Sequence, residues 1–258
     1  VPIGKGVGIV AVSINVHYTD AQKHETTKSQ DRVRLFYTPT LRQKTIYSTS
    51  PINLGTGPMK IPPQKSRYFI HRECNVRHYC DDEETLDCPA YKAAGLCSSN
   101  HDVKTLCPTT CGTCSQEEKQ NIHVVGIFFH AHLLGREMYA TVTRKNGDVE
   151  NLHSKPAWDY NDQSVYHFSG NNLTLTTGDR IDTTCVYNSM ARDKSTSVGL
   201  STYEEMCIHS IMTSHDSSTS SENFKYGAFR CHGNIWTGEL NEEESGLAIA
   251  ENHPENHA

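Results

Sequence analysis

The chain has no long apolar run. Its longest, Val124-Val125-Gly126-Ile127-Phe128-Phe129, is six residues, against the roughly 20 that cross a bilayer as a helix, so the chain reads as soluble with no membrane span. It also lacks any excess of positive charge. Lys and Arg number 24 against 30 Asp and Glu, a formal charge of -6. No strongly basic face is available to neutralise phosphates, and nucleic acid is excluded as an expected partner. There is no methionine at the start and no charged-then-apolar leader, which reads as a processed or truncated secreted polypeptide. Core-forming residues are scarce: the hydrophobic fraction is 36%, so part of the chain must be held by something other than a core. What the chain has instead is 10 Cys and 15 His. Clustered cysteines in even number point to an oxidising compartment, and the histidines prompt a search for metal ligands.

No stretch carries a long helical stripe with caps. Alternating apolar and β-branched residues predict strands over 10–18, 33–37 and 67–70. Met138 to Thr143 and Val149 to Leu152, joined through Asn146-Gly147, predict a hairpin with a type I′ turn. Leu173-Thr174-Leu175 leads through Thr177-Gly178-Asp179 into a strand from Ile181 to Tyr187. Short strands set off by Gly, Pro, Asn and Asp indicate an all-β fold, an antiparallel jelly-roll-like β-sandwich. Pro51 to Pro63 reads as a connector between two β units. From Gly238 onward the chain is acidic with few apolar residues and reads as a flexible tail. Asn172-Leu173-Thr174 is a glycosylation sequon that agrees with secretion.

Six cysteines between Cys80 and Cys114 are spaced C-x7-C-x8-C-x9-C-x3-C-x2-C, with too few apolar neighbours to build a core. Three disulfides would hold such a module together; six cysteines allow 15 connectivities. A metal site is the weaker reading, since only Cys111 and Cys114 have a short spacing and no second such pair exists. The pattern, and above all Cys107-Pro-Thr-Thr-Cys111-Gly-Thr-Cys114, resembles the ShK-type domain of sea-anemone toxins and secreted invertebrate enzymes. That resemblance implies pairing of Cys80 with Cys114, Cys88 with Cys107 and Cys97 with Cys111. The Lys-Tyr pair of channel-blocking members is absent, Ser98 to Leu106 standing in its place, so the segment reads as a stapled insertion or docking knob rather than a toxin.

Directly after this segment comes Ile122 to Arg136. On a strand, His130 and His132 share a face with Cα atoms about 7 Å apart, close enough for two imidazoles to reach one ion. A lone H-x-H pair is a weak signal, more often structural. Its surroundings add to it. His130-Ala-His132-Leu-Leu-Gly135-Arg136, followed by Tyr203-Glu204-Glu205-Met206-Cys207, resembles the second copper domain of the dopamine β-hydroxylase family of ascorbate-dependent copper monooxygenases. The resemblance implies that His130, His132 and Met206 bind the oxygen-activating copper, with ascorbate as reductant. Imidazoles suit both copper oxidation states, and a thioether favours Cu(I). Val16-His17-Tyr18, Arg34 to Thr38, Leu41-Arg42, Ile61-Pro62-Pro63 and Cys74-Asn75 follow the family order too. By the same resemblance Cys185 pairs with Cys207 and Cys74 with Cys231.

Where the peptide-amidating branch of that family has an arginine two residues before H-x-H, this chain has Phe128, so an aromatic amine is a better substrate guess than a glycine-extended peptide. The family's electron-accepting copper takes three histidines. The last matches His17, a remnant of that site, while the adjacent His-His pair that supplies the others occurs nowhere in this sequence. The resemblance thus divides the chain into 1–50, the end of the first copper domain; 51–74 and 115–236, the second; 75–114, the ShK-like insertion; and 237–258, the tail. It implies a secreted or secretory-vesicle monooxygenase fragment, incomplete for catalysis alone, whose missing ligands come from an upstream domain or partner chain. The alternative is a non-enzymatic secreted structural or recognition protein on the same scaffold. No catalytic side chain is assigned. The remaining histidines, His71 and His209 among them, read as surface or satisfied polar residues.

Overall fold

A computed structural model describes residues 14, 32–40, 44–48, 59–78, 80–114, 122–168, 173–216, 229–232, 234–241 and 244–247. The strand expected over 10–18 with His17, the sequon residue Asn172, and most of the Pro51–Pro63 connector lie outside them.

The architecture is an all-β sandwich of antiparallel sheets. One sheet runs in the order β1 (Lys44–Ser48), β11 (Ile208–Asp216), β4 (Ile122–His130), β7 (Val165–His167), with β8 (Thr174–Leu175) also on β4. The other runs β12 (Phe229–His232), β3 (Tyr68–His78), β9 (Arg180–Tyr187), β5 (Gly135–Thr143), β6 (Val149–Lys155), with β13 (Ile235–Glu239) also on β3. A two-stranded ribbon pairs β2 (Lys60–Ile61) with β10 (Thr196–Ser197). Period-two alternation gives each sheet an apolar face, and burying those faces together makes the core. Ile70, Cys74 and Val76 of β3, Met138, Ala140 and Val142 of β5, and Ile181 and Cys185 of β9 meet Ile122, Val124, Ile127 and Phe129 of β4 and Ile211 of β11.

Three local expectations differ from the structure. Residues 33–37 form no strand: they are exposed, Phe36 at 88% and Tyr37 at 92%, because alternation makes a strand only where a second strand takes up its backbone groups, and none among the described residues does. The β5–β6 turn is not type I′. That type needs positive φ at both central residues, and only Gly147 has it, at 90°. The Gly147 N–H donates to the Arg144 carbonyl and the Arg144 N–H to the Asp148 carbonyl, the three-residue loop in which a type I turn is followed by a left-handed glycine. The strand expected from Ile181 to Tyr187 is present as β9 on β3, and β8 before it lies on β4 of the other sheet. Finally, the start of the expected tail is docked. β13 extends to Glu239, Leu240 is buried, and the Arg67 guanidinium donates to the carbonyls of Asn241 and Glu244.

The cysteine-rich segment forms three short helices, α1 (Cys88–Ala93), α2 (Leu96–Ser99) and α3 (His101–Leu106). Asp87 caps α1 and Asn100 caps α3 through their side chains. Bridges join Cys80 to Cys114, Cys88 to Cys107 and Cys97 to Cys111. Its own buried cluster is only Cys88, Val103 and Cys107, so cross-links replace core. It is seated on the sandwich rather than tethered: β3 runs four residues past the expected boundary at 74, and Cys80 and Cys114 belong to the main core. Asp81 accepts from the His78 N–H and the Thr177 hydroxyl, and Asp82 accepts from the Thr109 and Thr110 N–H groups. Cys74 is buried and disulfide-bonded; Cys231 stands opposite Val76 on β12, its side chain outside the described residues.

Candidate metal centre

His130 closes β4, and its outlook is set five residues earlier. Ile122 and Val124 are buried, as are Ile127 and Phe129, so the core-facing parity switches between Val124 and Ile127. The cause is a β-bulge: Met212 pairs with Gly126 and Thr213 with Val124, leaving Val125 as the extra residue. Without it, His130 would share the core face with Ile122 and Val124. With it, His130 and Phe128 leave the core, their rings 6.3 Å apart and nearly parallel. Bulges re-aim side chains in this way beside functional sites.

Beyond His130 the chain turns sharply through Ala131 to Leu134 into β5. Gly135 permits the turn, since a Cβ there would lie 2.8 Å from Trp158 Cδ1 and 3.0 Å from the Ala131 Cβ. The His130 and His132 rings stand 5.0 Å apart at 86°. His130 Nδ1 lies 2.5 Å from Gln163 Oε1, and His132 Nδ1 lies 3.0 Å from the Glu204 carbonyl oxygen. Both partners are acceptors, so each Nδ1 carries the proton and each Nε2 carries the lone pair, the arrangement that orients an imidazole toward a metal.

Met206 is partly buried just before β11, in which Ile208 pairs with His130. Its main chain is held on three sides. The Met206 N–H donates to Glu205 Oε1 at 2.9 Å, the Tyr187 hydroxyl donates to the Met206 carbonyl at 2.9 Å, and the next residue, Cys207, is bonded to Cys185 of β9. That bridge staples the two sheets beside the site. Glu205 is fully buried; its Oε1 also accepts the His132 N–H, and its Oε2 the Leu134 N–H at 2.9 Å. Burial pushes its carboxyl pKa up, against the three backbone donors that favour the charged form. Burial likewise raises the Tyr187 hydroxyl far above its ordinary value, with Glu205 adding to it. Past Glu204 opens a polar cleft of about 500 Å³, lined by Arg192, Asp193, Lys194, Tyr203 and Glu204 among others.

Sequence reasoning misses Gln163 and Glu205; only Glu205, inside the Glu-Met-Cys motif, carries a signal. Another group of possible ligands, Cys185, Cys207 and His209, lies within 4.8 Å, but its sulfurs are consumed in the disulfide. His209 itself corrects an expectation. It is not at the surface: it is fully buried with no partner for Nε2 among the described residues, its ring 4.7 Å from Phe129, because the residue falls on the core-facing parity of β11. Burial, with His71 nearby, drives its pKa down to about 3.

The donor chemistry fits copper: two imidazoles oriented through Nδ1 beside a thioether-bearing residue whose backbone shares an acceptor with one of them. Comparison with known proteins agrees. Residues 95–223 match the model of the copper type II ascorbate-dependent monooxygenase C-terminal domain. A DBH-like monooxygenase protein 1 from Gallus gallus is 27% identical over 217 residues, covering 81% of this chain and 30% of that protein. Dopamine beta-hydroxylase from Equus caballus is 24% identical over 201 residues, covering 77% of this chain and 27% of that one. The chain therefore spans under a third of the length of these relatives.

Proposed function

Since the chain belongs to the copper type II ascorbate-dependent monooxygenase family, we propose that it supplies the oxygen-activating copper site of a secreted monooxygenase, with His130, His132 and Met206 as ligands. The observation that carries this reading is the bulge at Val125, which turns His130 out of the core, together with the Nδ1 bonds that put the proton on Nδ1 and the lone pair on Nε2 of both histidines. Alternation supports Met206 as the third. Cys207, His209 and Ile211 are buried, whereas Met206, Ile208 and Ser210 are not; carried back from β11, that alternation supports Met206 on the same side as His130. Copper held there supplies the redox chemistry of dioxygen. Hydroxylation consumes one dioxygen, two electrons and two protons per C–H bond oxidised and releases one water, and ascorbate is the two-electron donor. One copper passes one electron at a time, so these 258 residues are incomplete for catalysis alone and work with an upstream domain or partner chain that carries the other copper. Phe128, which stacks beside His130 where a cation would bind a carboxylate, favours an aromatic amine as substrate. The disulfides accord with the secretory pathway, and the ShK-type segment serves as a docking knob.

The test is oxygen consumption coupled to phenethylamine hydroxylation, with copper and ascorbate, by the chain alone and after addition of a separately made upstream domain containing a His-His pair. Turnover only in the mixture is expected. Sustained turnover by the chain alone overturns the incompleteness, and no turnover in either favours the non-enzymatic reading.

A further inference from the structure

A side chain that accepts three backbone N–H groups from two separate segments does more than fill space. Glu205 takes the His132 and Met206 N–H groups on one carboxylate oxygen and the Leu134 N–H on the other. It is fully buried, so water cannot replace it at any of the three. One segment is the turn that follows β4 and carries His132; the other is the stretch before β11 that carries Met206. No main-chain ladder joins His132 to Met206, since the β4–β11 pairing ends at His130 and Ile208. Besides the His132 Nδ1 bond to the Glu204 carbonyl, their separation is held by this carboxylate, the one group that ties the backbones of both segments.

The chemical type matters as much as the position. An ionised carboxylate only accepts, with about four lone-pair sites. An amide of the same shape has one oxygen and one NH2. In the Glu205→Gln variant, an amide oxygen placed where Oε1 stands would serve His132 and Met206, but the NH2 would then point at the Leu134 N–H; turned over, the amide would serve Leu134 alone and face two donors. Either way at least one buried N–H loses its acceptor, and the two segments move apart. The segment bearing Met206 is otherwise fixed through the Tyr187 hydroxyl and the Cys185–Cys207 bridge, so the turn bearing His132 is the part that shifts.

We propose that Glu205 is a positioning residue that clamps the His132 turn to the Met206 strand, and so determines whether the thioether and the imidazoles can hold one copper together. This rests on the ligand reading given above. A thioether is a neutral, weak donor, so its bond to copper is the first lost when the segments part, while two histidines two residues apart in sequence survive as a site. Removing such an outer contact characteristically lowers metal affinity about 10–100-fold.

The experiment is X-ray absorption at the copper edge of the whole chain loaded with less than one equivalent of Cu(I), in three forms: parent, Glu205→Gln and Met206→Leu. The expected result is a sulfur shell in the parent, none in Met206→Leu, and none in Glu205→Gln although its nitrogen shell persists. A sulfur shell in Glu205→Gln equal to the parent's overturns the positioning role. A parent spectrum identical to Met206→Leu overturns the ligand reading, and this inference with it. Amide hydrogen exchange on the metal-free parent tests the clamp without any variant: the N–H groups of His132, Leu134 and Met206 should exchange as slowly as those of β4, and exchange at loop rates would overturn the clamp even if Glu205→Gln fails to fold.

Discussion

Acid should unfold this sandwich partly through one histidine. His209 is sealed in the core, its pKa lowered to about 3 by burial and by His71 nearby, against about 6.5 in an unfolded chain. The native state therefore binds fewer protons than the unfolded state between those two values. Stability from this group is fully present above about pH 6.5 and is lost as pH falls toward 3. At pH 5 the unfolded histidine is almost wholly protonated and the native one is not, so the loss amounts to about 2 kcal/mol. Replacing it with leucine removes the titration and the unpartnered Nε2, whose burial costs about 1–3 kcal/mol, while giving up the edge contact with Phe129, about 0.5–1.5 kcal/mol. His209→Leu should match or slightly exceed the parent at pH 7 and lie about 2 kcal/mol above its expected acid curve at pH 5. The assay is urea unfolding with disulfides intact and copper chelated, at pH 7, 6 and 5. Other carboxylates and histidines titrate in both proteins and cancel. Equal acid losses in the two would refute the reasoning, because they would mean that His209 gains its proton without unfolding.

Two further outcomes follow from packing. Gly135→Ala forces a methyl against Trp158 and Ala131 and should cost about 1–3 kcal/mol, seen as a lowered urea midpoint together with weaker Cu(I) binding; an unchanged midpoint would show that Trp158 moves aside freely. Removing the Cys97–Cys111 bridge, 14 residues apart in sequence, should cost the knob about 3 kcal/mol and expose residues within 80–114 to protease. The sandwich midpoint should stay within error, and an equal fall would mean that knob and sandwich unfold as one unit.

The sandwich was legible because apolar residues recur at period two in β3, β5 and β9, and Ile70, Cys74, Val76, Met138, Ala140, Val142, Ile181 and Cys185 meet the opposing sheet. Alternation failed at 33–37, where apolar residues stand exposed, since pattern alone does not say whether a partner strand exists. The pair His130 and His132 could be read from spacing, but the exit of His130 from the core could not: a count from Ile122 puts His130 inside, and only the pairing of Met212 with Gly126 reveals the bulge. Gln163 was invisible because it lies 33 residues from His130, on a loop with no motif of its own. His209 was misjudged for a similar reason. Its residue type suggested polarity, and its parity on β11, beside Cys207, decided burial.

The most direct test of the copper site is a Cu(I) titration of the whole chain against a chromophoric Cu(I) chelator under ascorbate, beside the double variant His130→Ala/His132→Ala. The account predicts one equivalent withheld from the chelator by the parent and none by the variant, which stays folded with a lowered urea midpoint when metal-free: His130 faces away from the core, but His132 is buried and gives up its Nδ1 bond to the Glu204 carbonyl. Equal withholding by a folded double variant would place the copper elsewhere and contradict the account.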